Sequence, residues 1–393
     1  MHNHHYHVAK QLEHLKKKEM KEIYSSITIK TFAVSLIAIF IPLYFYSELS
    51  YGFLDIIMFY LIVAFATIFL VPFFSTAVSK IGLKHSILIS APLQIVFFAS
   101  LYMLKGGLFH YFIPAILFAT EAVLFWLAFH SEFAKYSDKN HRGKQISIWY
   151  SLALGSTVLG PLVGAFVITY FGFMFLFGFA SILIIVSTIP LFFSKDSYEP
   201  VGFSLKHIMN KSHFKDSMIF ATRGFHNMAQ KVFWPLFIFL ILGTYISLGS
   251  LVSISGVYAA IFTLIIGSLT TKVKYSKLIK IGTSITSLTY FIRSFVRSFS
   301  HILVVTTFGM LSFILVDIPM SAKAYNKADK SKRLEYIAFR EIFFAVGRVL
   351  ALLVVLFSYI FLFKNYSTTD AIMYSITVLF FITGFIVFIW NKY

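Results

Sequence analysis

The sequence predicts an all-α membrane protein whose twelve transmembrane helices form two pseudo-symmetric six-helix bundles. Three observations support this fold class: long apolar segments recur along the chain, basic residues concentrate in alternate loops, and short motifs repeat at a nearly constant offset. Of 393 residues, 58% are hydrophobic and only 13% are charged, and the mean hydropathy is +0.81. A soluble domain does not need so large an apolar fraction, so we expect the chain to lie in a lipid bilayer.

Each predicted span is an apolar segment long enough for a membrane-crossing helix, which needs ~20 residues. The segments lie at about 27–46, 53–77, 86–104, 108–130, 146–169, 173–193, 217–242, 248–270, 279–298, 301–320, 337–361 and 370–390. Their even spacing along the chain leaves room for short loops but not for a separate soluble domain.

The formal net charge is +18, and the positions of the basic residues indicate the role of this charge. In a soluble protein this charge would suggest a nucleic-acid partner, but here Lys and Arg crowd the even-numbered loops. The fourth loop has Lys135, Lys139, Arg142 and Lys144, whereas the fifth loop (170–173) has none. Basic loops stay in the cytoplasm. We therefore expect an integral protein of the cell (inner) membrane with both termini cytoplasmic, and no nucleic-acid partner.

The sequence carries no clear signature of a metal or cofactor site. Residues 1–26 form a basic arm with five histidines, which could bind a metal. No carboxylate cluster accompanies them, so we expect a solvated tail without a metal site. The chain has no cysteine, which excludes disulfides and thiol chemistry. It also lacks a Gly-rich phosphate loop, so we expect no cofactor and no ATP drive.

Matched motifs indicate an internal repeat. Phe40-Ile41-Pro42-Leu43 precedes Phe233-Trp234-Pro235-Leu236 by 193 positions, and Asp138–Arg142 precedes Asp329–Arg333 by 191. Each pair occupies equivalent elements, which predicts two parallel bundles related by an axis along the membrane normal. We expect bundles at 27–193 and 217–393, joined by a cytoplasmic linker at 194–216.

The loop after the second predicted helix resembles a motif of the major facilitator superfamily, Gly-x-x-x-Asp-Arg-x-Gly-Arg-Lys. Residues 75–84 keep the basic Lys80, then Gly82 and Lys84, but Ser79 replaces the Asp. The second copy, after the eighth helix, keeps Gly267 and Lys272. The resemblance covers about 24–391 and implies that these residues belong to the cytoplasmic gate.

A second motif of that family, Gly-x-x-x-Gly-Pro-x-x-Gly-Gly, matches the fifth helix through Gly160, Pro161 and Gly164. In the family this pattern is commonest among exporters that work as antiporters. Small residues also let helices pack closely, which explains the pattern without any meaning for direction. The resemblance implies secondary transport by alternating access, with a central cavity lined mainly by helices one, four, seven and ten.

A polar stripe interrupts the seventh apolar segment. Its members share one face of a helix because they fall at i, i+3, i+4, i+7 and i+8. They are Arg223, His226, Asn227, Gln230 and Lys231. Polar side chains inside a membrane need a partner or a wet cavity. We therefore predict that this stripe forms the substrate-facing wall.

Isolated charges in other helices complete the candidate site. Glu121 lies mid-span in the fourth segment and either couples protons or binds substrate, or forms an ion pair with Lys231, Arg348 or Arg223. Arg348 lies deep in the eleventh segment and needs a partner, for which Asp317 is a candidate. The surplus of cations favours an anionic substrate, but Glu121 would equally suit a cationic one.

The leading interpretation is a secondary transporter that moves a small molecule, with proton-coupled efflux as its more specific form. We do not expect an enzyme, although a membrane-embedded transferase is the alternative from another class. A transport-inactive sensor or scaffold of the same fold also fits. A monomer suffices for this architecture.

Overall fold

The structure, a computed structural model, describes residues 2–193, 195–199, 214–269 and 273–392, and its side chains from Lys18 onward except at 157, 264 and 266–269. The described chain is helical nearly throughout and contains no strand. Both chain ends lie at one face of the helical array, which we call the terminal face. The other face is called the opposite face.

The first half begins with four helices: α1 (His2–Ser35), which continues through Ile41–Leu43 and a π-helical turn at Tyr44–Glu48, then α2 (Phe53–Ile81), α3 (Leu83–Met103) and α4 (Phe112–Tyr136). One long helix, Arg142–Thr188, follows. The backbone of this long helix breaks at Gly172, where φ is +81°. Because glycine tolerates this left-handed conformation, the chain reverses there. We therefore divide it into α5 (142–171) and α6 (173–188).

The second half follows the same order. It contains α7 (Phe214–Met228), which continues through a π-helical turn at Ala229–Phe233 and through Trp234–Leu242, then α8 (Tyr245–Leu269), α9 (Tyr275–Arg293), α10 (Phe299–Asp329), α11 (Arg333–Leu362) and α12 (Thr368–Ile386). Every predicted span overlaps one of these helices. The basic arm is also helical, since α1 begins at His2, while most of the predicted linker lies outside the described residues.

Within the described ranges, nine helices are long and apolar enough to cross a membrane. The difference from the twelve predicted spans has a simple origin. The fifth and sixth spans share the helix Arg142–Thr188, while α1 and α9 are helical but not among the nine. Polar residues lower their hydropathy, since α1 begins in the basic arm and α9 carries Lys277, Lys280 and Arg293. The arrangement is consistent with twelve helices.

Close helix crossings hold each half together at equivalent places. In the first half α5 crosses α1, where a Cβ atom on Gly160 would lie 1.8 Å from the Ser35 Oγ atom. In the second half α11 crosses α7, where a Cβ atom on Gly347 would lie 1.7 Å from the carbonyl oxygen of Ala221. Any larger residue would push these backbones apart, so glycine is required at both crossings.

Two helix pairs make the most extensive contacts between the halves, α5 with α8 and α2 with α11. At the first of these, a Cβ atom on Gly249 would lie 2.5 Å from the carbonyl oxygen of Pro161. Pro161 of the predicted motif therefore lies between the halves. Gly160 and Gly164 pack inside the first half, because Gly164 abuts the backbone of Leu36.

We predict that Gly347→Ala lowers the free energy of unfolding by about 1–3 kcal/mol, because the added methyl group overpacks the α7–α11 crossing. The matched control is Gly155→Ala in α5, where a Cβ atom would meet nothing within 4 Å and alanine favours the helix. Thermal unfolding of the detergent-purified variants measures both. Equal unfolding temperatures for the two variants would contradict the prediction.

Candidate functional site

A buried ion pair joins α1 to α4 in the first half. The Lys30 Nζ atom lies 2.6 Å from the Glu121 Oε1 atom, and both side chains are less than 10% exposed. The ammonium also lies 3.7 Å from the centroid of the Phe125 ring, a cation–π contact. The partner of Glu121 is therefore Lys30, and not Lys231, Arg348 or Arg223, the partners that the sequence suggested.

A second buried ion pair joins α7 to α10 in the other half. Arg223 pairs with Asp317, and both residues are buried. Asp317 was a candidate partner for Arg348, but its ion pair is with Arg223. Lys30 and Arg223 are 193 positions apart, which is the offset of the internal repeat. Each half therefore pairs a cation on its first helix with a carboxylate on its fourth.

The predicted polar stripe on α7 divides between two environments. His226 is buried inside the second half, stacked on Phe313 with ring centroids 4.5 Å apart and edge-on to Tyr290 and Trp390. Gln230, one turn further, accepts a hydrogen bond of 2.6 Å from Arg293. These two residues hold α7 against its neighbours. Their side chains pack against other helices, whereas the side chain of Lys231 is exposed.

Asn227 is half-buried and Lys231 is exposed. Lys231 is nevertheless the one exposed residue from Ile219 to Leu242, all of which the structure describes. A charged side chain on a helix that is otherwise covered is expected to face a wet space, because lipid would leave the charge without solvation. Lys231 also lies in the π-helical turn Ala229–Phe233, and such turns alter the direction of side chains and are frequent at functional sites.

The polar residues of α11 lie near the Arg223–Asp317 pair. The Arg340 Nε atom is 3.8 Å from the Glu341 Oε1 atom, and the Arg340 charge acts on Asp317. The Arg348 guanidinium lies 4.8 Å from the centroid of the Phe344 ring. Its Nε atom has no hydrogen-bond partner among the described residues.

Polar contacts close the terminal face between the halves. The buried Arg142, at the start of α5, donates hydrogen bonds to Asp329 (2.8 Å) and Asn326 (2.6 Å) at the end of α10. Deeper inside, the His130 Nδ1 atom lies 2.6 Å from the Tyr325 hydroxyl group. These contacts connect α4 and α5 to α10, so they tie one half to the other.

The described first part of the predicted linker reinforces this closure. Glu199 accepts a hydrogen bond of 3.1 Å from Arg333 in the second half and lies 3.4 Å from Lys135 in the first. Arg333 also donates to Asp329 at 2.7 Å. The matched motifs Asp138–Arg142 and Asp329–Arg333, used above only as signs of a repeat, thus supply the residues that link the halves.

Aromatic contacts close the opposite face. Phe53 at the start of α2 packs edge-on against Phe233 of the α7 segment and Tyr359 of α11, with ring centroids 6.3 and 5.0 Å away. Phe40 packs against Tyr245 of α8 with centroids 6.0 Å apart. Along α7, Lys231 therefore lies between the aromatic closure at Phe233 and the polar closure of the terminal face.

The residues of the predicted loop motif act inside the first half. Lys84 binds Glu19 and Glu22 of α1 at 2.6 and 3.0 Å. Gly82 has a φ of +103°, and a Cβ atom there would lie 2.1 Å from Asp196. Asp196 in turn accepts hydrogen bonds from the first backbone amides of α3.

The other gate candidates add little to either closure. Lys80 is exposed, and Ser79 donates a hydrogen bond only to the backbone of its own helix. Gly267 lies in α8, but its surroundings are not described, and Lys272 lies outside the described residues. No group of three His, Asp or Glu side chains in the described part of the chain is placed to hold a metal ion.

Two helical halves that enclose charged side chains between two closures define a membrane transporter. The sequence profile of the Major Facilitator Superfamily matches residues 23–351, and the chain therefore belongs to that family.

The structure is similar to one described as a Major Facilitator Superfamily transporter, FucP, in the outward conformation. The alignment covers 95% of this chain and 97% of that chain, with a TM-score of 0.65 and 11% identity. At this identity the likeness shows the fold alone. No curated protein sequence matches.

We predict that Glu121→Gln destabilises the protein by about 3–5 kcal/mol, because Lys30 is left as an uncompensated buried charge. Replacing both partners, as Lys30→Met with Glu121→Leu, restores most of the loss. Thermal unfolding of the purified variants measures the double-mutant cycle. The matched control is Glu48→Gln, whose partner Lys105 lies 2.5 Å away in a largely exposed pair; we expect this change to cost far less, because water screens and solvates exposed charges. Equal losses for the two glutamine variants would contradict the prediction.

Proposed function

We propose that the protein is a secondary active transporter that carries a small molecule by alternating access, with the substrate held between the two halves. The observation that carries this proposal is the pair of closures. Arg142 and Asp329 join the halves at one face, while Phe53 and Phe233 join them at the other. Because the two sets share no residue, one can open while the other stays closed.

We place the terminal face in the cytoplasm. The support is the distribution of basic residues, since the loops of this face contain most of the Lys and Arg between spans. The polar closure is then the cytoplasmic gate. Its contacts are made by the loop arginines Arg142 and Arg333, which replace the Asp-based latch that Ser79 cannot form.

Proton coupling through Glu121 and Asp317 is a second part of the proposal. Both carboxylates are buried and each is the anionic member of an ion pair. Protonation of either carboxylate breaks its pair and leaves a cation without compensation. The protonation state therefore changes which charges face the space between the halves. The Gly-Pro pattern does not favour export over import, because the α1 contact already explains Gly160 and Gly164.

Distances across the two closures test the proposed alternation. Since the chain has no cysteine, spin labels attach only where cysteines are introduced. Asn140→Cys with Lys330→Cys reports the terminal face, and Leu108→Cys with Asn365→Cys reports the opposite face; all four positions are exposed. We predict that Asp329→Asn lengthens the first distance and shortens the second in double electron–electron resonance. Asp370→Asn, far from the terminal face, is the control.

Transport itself is tested with proteoliposomes under an imposed pH gradient, using labelled carboxylates, phosphates, sugars and amines. Flux of at least one compound that depends on the gradient supports the proposal. Absence of flux for every compound, with labelled distances that do not change, favours the transport-inactive scaffold instead. Unaltered pH-dependent flux in Glu121→Gln and in Asp317→Asn would refute proton coupling through these pairs.

A further inference from the structure

We infer that the space between the halves binds substrates that carry an anionic group, a carboxylate or a phosphate, through Lys231 and Arg348. This inference rests on the proposed function, because it assigns the substrate class of the same site. From the sequence alone, Glu121 left a cationic substrate as plausible as an anionic one, and the structure favours the anionic one.

The first support is the balance of charge around the centre. A buried carboxylate, Glu132, lies four residues before the end of α4, where the Lys84 charge acts on it. Apart from Glu132, the central charges in the described residues of α1, α4, α7, α9, α10 and α11 include six cations and three carboxylates. They are Lys30, Arg223, Lys231, Arg293, Arg340 and Arg348, with Glu121, Asp317 and Glu341. An excess of cations in a low-dielectric interior creates a potential that attracts anions and repels cations.

The second support is that the carboxylates already have cationic neighbours. Glu121 is neutralised by Lys30 at 2.6 Å, and Asp317 by Arg223. The Glu341 carboxylate lies 3.8 Å from Arg340. A substrate amine would therefore have to break an existing ion pair to reach any of these carboxylates, which is costly in a buried site.

Arg293 does not belong to the binding site although it is a buried cation. It is 1% exposed, and its guanidinium lies 4.5 and 4.2 Å from the ring centroids of Trp234 and Tyr290. With Gln230 as hydrogen-bond acceptor, it packs inside the second half. Its Nε and Nη1 atoms have no hydrogen-bond partner among the described residues, but the aromatic rings enclose the side chain, and we therefore leave it out of the binding site.

Lys231 and Arg348 remain, and their surroundings differ from those of the other cations. Lys231 makes no hydrogen bond or ion pair with a described residue, and it is exposed although the rest of its segment from Ile219 to Leu242 is not. Arg348 is half-buried, contacts the Phe344 ring and has an Nε atom without a hydrogen-bond partner among the described residues; the Glu341 charge acts on it but forms no ion pair with it. Both cations are accessible, unlike Arg293, and accessible cations within the membrane that form no ion pair indicate a functional role.

Their positions along the membrane normal suit one ligand. Gly347, next to Arg348, contacts α7 at Ala221 and Phe225, so Arg348 lies at that level. Lys231 follows Phe225 by six residues, or ~9 Å along α7. Asn227 lies between these two levels, and it shares a face of α7 with Lys231 because the two residues are four positions apart. An anionic group beside Asn227 is therefore within reach of both long cationic side chains, with an amide available to donate a hydrogen bond.

The reactivity of a cysteine at this position measures the local potential without knowledge of the substrate. In the cysteine-free chain, Asn227→Cys is treated with an anionic methanethiosulfonate (sulfonatoethyl) or a cationic one (trimethylammonioethyl). The ratio of the two rates is compared with the ratio at Leu108→Cys, which is exposed on the opposite face. We expect the anionic reagent to be favoured at Asn227→Cys by about tenfold or more relative to that reference.

The same ratio tests each cation. Adding Lys231→Gln or Arg348→Gln to Asn227→Cys should reduce the preference for the anionic reagent at least threefold, whereas Lys231→Arg should retain it. The control is Lys364→Gln, which changes an exposed lysine of the opposite face and should leave the preference unchanged. A ratio equal to or below the reference, or a preference that neither glutamine variant reduces, would overturn the inference. So would a thiol that neither reagent modifies, because the site must open to water. This readout needs no transport, so failure of flux alone refutes the proposed function and not the anionic character of the site.

Discussion

The requirement that buried charges be compensated governs this structure. A charged side chain inside a membrane is expensive unless another charge or a wet space faces it. The chain meets this requirement by placing cations on the first helix of each half and carboxylates on the fourth. Lys30 with Glu121 and Arg223 with Asp317 connect helices that are far apart in sequence. Each pair holds the interior of its own half together.

Close packing of backbones allows these pairs to form. Glycine lets α5 approach α1 and lets α11 approach α7 until a methyl group would not fit. The first helix of each half is thereby held against a neighbour of its own half. Its polar residues then divide between two environments. Arg223 and His226 are buried inside the half, and Lys231 is exposed.

The two closures differ in chemistry, and this difference is relevant to their movement. At the terminal face Arg142, Arg333 and Glu199 form directional charged hydrogen bonds, which are strong when aligned and lost when displaced. At the opposite face Phe53 and Tyr359 make ring contacts, which tolerate sliding better. A change of charge therefore acts mainly on the terminal face.

The sequence by itself determined the helical membrane fold, the two halves and their repeat. These depend on hydropathy, loop charge and motif spacing, which are local properties that a bilayer converts directly into topology. It also identified several of the buried ionisable residues, such as Glu121 and Asp317, because an isolated charge in an apolar run is conspicuous.

Only the tertiary structure decided which charges are paired. Glu121 has its partner on α1 and Asp317 has its partner on α7, and neither contact is encoded in local spacing. The stripe on α7 was expected to face one way, yet His226 and Gln230 pack inward while Lys231 is exposed. Helical periodicity reports which residues share a face within about 100°, but the neighbouring helices and the π-helical turn at Ala229–Phe233 divide that face. Pairing and orientation depend on contacts between distant segments, and for that reason the structure was needed to separate the cations that hold the fold from those available to a ligand.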